Sequence, residues 1–134
     1  MEFEREGRKM GRILVLDDVL DAGVMIKQIL KRRNHEVEVF TDEAEALAHV
    51  ASHPVDLAII DIRLKKMLGT EVLAEMKKIS PATRVIMLTG YPTLETARQA
   101  QELGAFDYCI KPIDKTELEE KVAEALAPED PPTP

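Results

Sequence analysis

A single cysteine, Cys109, is all the thiol this 134-residue chain contains. An intrachain disulfide is thereby excluded, and such usage fits a reducing compartment, the cytoplasm. No apolar run approaches the roughly 20 residues that a membrane-spanning helix requires. The charged start, MEFEREGRKMGR, has no apolar stretch before Ile13, so neither a signal peptide nor an amphipathic anchor is expected. Bases are scarce as well, 18 against 25 acids for a net charge of −7. That balance disfavours direct binding of nucleic acid or of an anionic membrane and leaves proteins and small ligands as partners. Internal repeats and a low-complexity core are also missing.

What is present suits one soluble domain: 45% of residues are hydrophobic and 32% charged. Short apolar runs rich in Val, Ile or aromatics recur at Ile13 to Leu16, Val37 to Phe40, Val55 to Ile60, Val85 to Leu88 and Phe106 to Ile110. Between them the spacing is helical, as in Leu20, Val24, Ile29 and Leu30, then Leu47 and Val50, then Val72, Leu73, Met76 and Ile79. Asp42 with Glu45, and Asp114 with Glu117, have capping-box spacing, and Gly104 suits a left-handed helix C-cap. Apolar strands alternating with helices predict a doubly wound α/β fold, a parallel sheet covered on both sides. Residues 12–127 form the expected domain. Residues 1–11 are expected to be a flexible extension, and residues 128–134, which are Pro-rich, a tail or linker.

Parallel strands deliver their carboxyl ends to one edge, where open α/β sheets bind ligands. The first run ends in Asp17 and Asp18, the third in Asp61, the fourth in Thr89 and the fifth in Lys111. Clustered carboxylates repel one another unless one is protonated or a cation sits among them. A hard divalent ion with oxygen ligands, Mg²⁺ above all, suits such a set, and Lys111 adds a point charge for a carboxylate or a phosphoryl oxygen. A carboxylate can also attack phosphorus, and Asp61, at the end of a central strand, is the expected nucleophile.

The stretches ILVLDD, DLAIIDIRL, GTEVL, RVIMLTGY and GAFDYCIKP, in this order, resemble the response-regulator receiver domains of two-component signalling, over about residues 12 to 126. The run LTGYPTLETARQAQELGAFDYCIKP is similar to receivers of the nitrogen-regulation type. The resemblance implies a CheY-like, flavodoxin-like (βα)5 fold with strand order 2-1-3-4-5. It implies that Asp61 is the phosphoacceptor, fed by a histidine kinase or phosphotransfer protein. Asp18, Asp17, Asp61 and the backbone carbonyl of Arg63 would hold Mg²⁺. Thr89 and Tyr108 would be switch residues, and Lys111 would bridge to the phosphoryl group. The output would be a change in the surface of helix 4, strand 5 and helix 5, with a homodimer through that surface as a family expectation. Such a chain is not a metabolic enzyme, although it would catalyse its own phosphorylation and slow dephosphorylation.

Two places in the chain depart from the family pattern. After DIRL the family usually continues Pro-Gly-Met-Asp-Gly, but here Lys65, Lys66, Met67, Leu68 and Gly69 follow, so a loop-stiffening proline is lost. Val19 stands where a third acid is common. The competing reading is a pseudo-receiver that binds partners without phosphorylation, which the altered loop favours and intact Asp18, Asp61, Thr89 and Lys111 oppose. The remaining polar residues have plainer readings: His49 and His53 as exposed surface side chains, His35 as structural, Cys109 as a small core residue, and Lys65 and Lys66 as a solvated loop.

Overall fold

The computed structural model describes residues 10–128, so most of the expected extension and tail lies outside the described residues. Strands β1 (Arg12–Leu16), β2 (Glu36–Phe40), β3 (Leu57–Asp61), β4 (Arg84–Thr89) and β5 (Asp107–Ile110) alternate with helices α1 (Leu20–Lys31), α2 (Glu43–Ser52), α3 (Gly69–Ile79), α4 (Leu94–Glu102) and α5 (Lys115–Leu126). All strand pairs are parallel and the order is β2-β1-β3-β4-β5, the doubly wound arrangement expected from the sequence.

Alternation along the strands divides the apolar residues between two faces. Ile13, Val15, Leu57, Ile59, Ile86 and Leu88 pack with Ile26 and Leu30 of α1 and Leu118 and Val122 of α5. Leu14, Leu16, Ala58, Ile60, Val85 and Met87 pack with Val50 of α2, Leu73 and Met76 of α3 and Ala100 of α4. The central strands are therefore apolar at nearly every position, and each fully buried aliphatic side chain contributes about 2 kcal/mol. On α1 the buried positions are Gly23, Ile26 and Leu30, whereas Leu20 is exposed, so the packed stripe is rotated from the one the spacing suggested.

Local chemistry sets the helix ends. Asp42 Oδ2 accepts from the Glu45 amide at 3.0 Å, and Asp114 Oδ2 accepts from the Thr116 and Glu117 amides, the forward half of each expected cap. Gly104 closes α4 at φ +91°, a left-handed conformation that glycine adopts without a Cβ clash. Helix α3 begins differently. Leu68 has no side-chain acceptor, so Glu71 reaches back to accept its amide at 2.9 Å.

Candidate functional site

The carboxyl ends of β1, β3, β4 and β5 meet at one edge of the sheet, and the polar residues that follow them converge there. Asp17, Asp18 and Asp61 each offer a carboxylate oxygen within 4.8 Å of the others. Asp17 is almost fully buried and Asp61 half-buried. The Lys111 ammonium lies among them, donating to Asp17 Oδ2 at 2.7 Å and to Asp61 Oδ2 at 3.4 Å. Asp17 Oδ1 accepts from the Val19 amide at 2.9 Å, so the chain turns into α1 on a side-chain bond even though Val19, at the N-cap, cannot supply one.

Two of the three acids share the Lys111 ammonium, and the ionisation of Asp61 reflects its crowded, half-buried place. Burial pushes the Asp61 carboxyl above the ordinary aspartate range; Lys111 pulls it back, and the Asp17 charge adds to the rise. For Lys111, burial alone would lower the ammonium, but the bond and charge of Asp17, with Asp61 behind it, outweigh burial and leave it raised. Such a set of hard oxygen donors fits a divalent cation such as Mg²⁺.

The walls of the site come from two loops. After β3, the Arg63 amide donates to Asp61 Oδ1 at 3.2 Å, Arg63 bridges to Leu68, and the Gly69 amide donates to the Ile62 carbonyl at 2.7 Å. A Cβ on Gly69 would collide with the Asp61 carbonyl oxygen and lie 2.8 Å from Ile62 Cα, so only glycine allows α3 to start this close to Asp61. At the end of β4, Thr89 is fully buried and its Oγ1 accepts from the Tyr91 amide at 3.0 Å. Thr89 follows Leu88, the register partner of Asp61, and this sets it beside the acid cluster. The Arg63 guanidinium stacks 4.2 Å over the Tyr91 ring and joins the two loops across the mouth.

A model of the response regulator receiver domain matches residues 13–123. The chain belongs to that family. Among curated relatives, this receiver is 36% identical over 115 residues to the transcriptional regulatory protein ZraR of Klebsiella oxytoca, a match covering 86% of this chain and 26% of that protein. It is 37% identical over 120 residues to the DNA-binding transcriptional regulator NtrC of Azospirillum brasilense, covering 90% of this chain and 25% of that one. The receiver thus spans about a quarter of the curated relatives it matches. Among solved structures it resembles a CheY-like receiver domain protein from Methanospirillum hungatei, with a TM-score of 0.85 and 37% identity over 88% of this chain and 94% of that one.

The receiver's remaining predicted residue, Tyr108, stands one strand over on β5. Its ring packs against the α2–α3–α4 core, its hydroxyl meets Thr96 Oγ1 at 2.8 Å, and it accepts from the Thr93 amide at 3.4 Å. It is thereby tied to the first turn of α4. Sequence reasoning passed over Tyr91 and Glu43. The place of Tyr91, two residues beyond Thr89, was the only available signal for it; Glu43 has none, because a glutamate in a first helical turn reads as solvated.

The plainer readings divide. Cys109 is buried and its thiol is pushed up to about 11, chiefly by burial and then by Asp107, so it stays protonated. His35 Nδ1 accepts from the Gly11 amide at 3.0 Å, a structural role. His49 is not a free surface residue: it lies between Phe40 and His53, with ring centroids at 5.1 and 4.9 Å, and pairs with Glu38 at 3.1 Å. Lys66 likewise is not simply solvated, since its ammonium meets Asp42 Oδ1 at 2.8 Å.

Proposed function

We propose that this receiver accepts a phosphoryl group on Asp61, in a Mg²⁺-dependent reaction, from the phosphohistidine of a sensor kinase or phosphotransfer protein. The observation that carries the reading is the juxtaposition of Asp17, Asp18 and Asp61 around Lys111 at the strand ends. An Asp61 carboxylate oxygen attacks phosphorus, the bond from phosphorus to the imidazole nitrogen breaks, and the imidazole keeps the electron pair. Asp17, Asp18, Asp61 and the Arg63 carbonyl are the ligands assigned to the ion. Bound Mg²⁺ supplies charge neutralisation for the carboxylates and the transferred oxygens.

Lys111 then exchanges a carboxylate partner for a phosphoryl oxygen, and the buried Thr89 hydroxyl turns to donate to another. With Thr89 moved, Tyr108 shifts inward and leaves Thr93 and Thr96. The first turn of α4 is released, and the α4–β5–α5 surface is remodelled for an output partner or a second copy. Residues 12–127 act as the receiver unit, with residues 128–134 as a Pro-rich tail or linker. The cytoplasm is the assigned compartment; no helix among the described residues is long and apolar enough to cross a membrane.

Intact-protein mass after incubation with acetyl phosphate tests the reading. A gain of one phosphoryl group that requires Mg²⁺ and disappears in Asp61→Asn is expected. No gain, together with failure to bind beryllofluoride, would replace it with a binding module that works without phosphorylation.

A further inference from the structure

The loop after Asp61 has no proline or glycine from Arg63 through Leu68, so its backbone is not stiffened by its own sequence. It is held from outside. Glu43, the first residue of α2, is only 3% exposed, and its Oε2 accepts from the amides of Lys66 and Met67 at 2.8 and 3.0 Å. Its neighbour Asp42 takes the Lys66 ammonium. Two adjacent acids at the start of one helix therefore grip the tip of the loop whose base carries Arg63.

The rest of the loop transmits that grip. Arg63 and Leu68 form an antiparallel bridge, and the Arg63 amide donates to Asp61 Oδ1. Releasing the tip at Lys66 and Met67 would leave the loop's backbone hydrogen-bonded only at its base, with the packing of the Leu64 and Met67 side chains on the core as its other hold. A buried carboxylate that accepts two amides is also a strong and directional anchor, because bonds to an ionised acceptor are roughly twice as strong as neutral ones. Burial alone would raise this carboxyl, but its own amide and those of Lys66 and Met67 more than compensate and hold it below the ordinary range.

We propose that Glu43 is a positioning residue for phosphoryl acceptance, fixing through the Lys66 and Met67 amides the loop that carries the Arg63 carbonyl and the Asp61 bond. The inference rests on the Mg²⁺-dependent reading above. The Glu43 clasp takes over the stiffening that the missing proline would provide. It also ties the first turn of α2 to the site, so a displacement of the loop is felt at that helix.

The test compares the wild type with Glu43→Ala, Glu43→Gln and Lys66→Ala. Amide hydrogen exchange of the metal-free proteins is read first. Glu43→Ala is expected to lose about 10-fold of protection at Lys66 and Met67, roughly one hydrogen bond's worth, while amides of β3 and β4 keep theirs. Calorimetric titration with Mg²⁺ alone is then expected to show about 10-fold weaker binding, at the low end of the cost of losing an outer-shell partner. With acetyl phosphate, the half-saturating Mg²⁺ concentration should rise in parallel while the maximal rate stays within about 2-fold. Glu43→Gln, which keeps the shape and one acceptor oxygen, should fall between, and serves if Glu43→Ala does not fold. Lys66→Ala keeps both amide bonds to Glu43 and loses only an exposed ion pair with Asp42, so it should stay much closer to the wild type than Glu43→Ala.

Faster exchange with unchanged Mg²⁺ binding would make Glu43 a structural residue only and overturn the proposal, as would unchanged exchange. A wild type that binds Mg²⁺ but takes up no phosphoryl group would sink the functional reading instead, and the Mg²⁺ titration would still decide the role of Glu43.

Discussion

The two ends of the sheet both bury polar groups, but they balance them differently. At the amino ends of the strands the polar contacts pair donors with neutral or exposed acceptors one to one. Thr83 Oγ1 donates to the Val55 carbonyl at 2.7 Å and meets Ser80 Oγ at 2.7 Å, the Thr83 carbonyl accepts from Lys77 at 3.2 Å, and Asp56 accepts the Arg12 amide at 2.9 Å. At the carboxyl ends three carboxylates face one ammonium. One end is a closed structural seam. The other holds charge in a pattern that costs stability unless a cation completes it, and this separates a site from a satisfied polar cluster.

Substitutions at the two ends should behave in opposite ways. The largest effect is expected for Lys111→Met, which leaves Asp17 buried and unpaired. In chelator it should lose about 3 kcal/mol by urea denaturation, and added Mg²⁺ should restore part of that. A loss of the same size with and without Mg²⁺ would break the contrast. At the structural end, Thr83→Val removes the donor to Val55 and should cost about 1.5 kcal/mol, with no change in phosphorylation rate and no recovery with Mg²⁺.

The smallest effect has the reverse sign. The Asp61 pKa is raised in the fold, so the folded state resists its ionisation, and that penalty is present at neutral pH. Asp61→Asn should therefore unfold at a higher temperature than the wild type at pH 7 in chelator. The difference should fade as pH drops through the folded pKa toward about 4, where an unfolded aspartate takes up its proton. A constant difference across that window would mean that the gain is not electrostatic.

How much of this was legible in the sequence follows from the same contrast. β1, β3 and β4 are apolar on both faces, so their runs stand out, and the residues ending them mark the site without reference to contacts. The first residues of the strands are less visible. The apolar run places Phe106 in the last strand, but it precedes β5, exposed and stacked under Arg84 at 5.2 Å, and Val55 likewise leads into β3. An apolar residue carries no local mark of where the hydrogen-bonded ladder begins. The acid cluster was legible because strand direction alone brings Asp17, Asp18 and Asp61 together. The Glu43 clasp was not, because it joins residues 23 and 24 positions apart through backbone amides, and amides have no sequence signature.

The most direct test of the account locates the phosphoryl group. Wild-type protein treated with acetyl phosphate and Mg²⁺ would be reduced with borohydride, which converts an acyl phosphate to an alcohol, and then digested and sequenced by mass spectrometry. Reduction at residue 61 alone is the predicted result. Reduction at Asp17 or Asp18, or at no residue while the protein still binds Mg²⁺, would contradict the assignment of Asp61 as the acceptor.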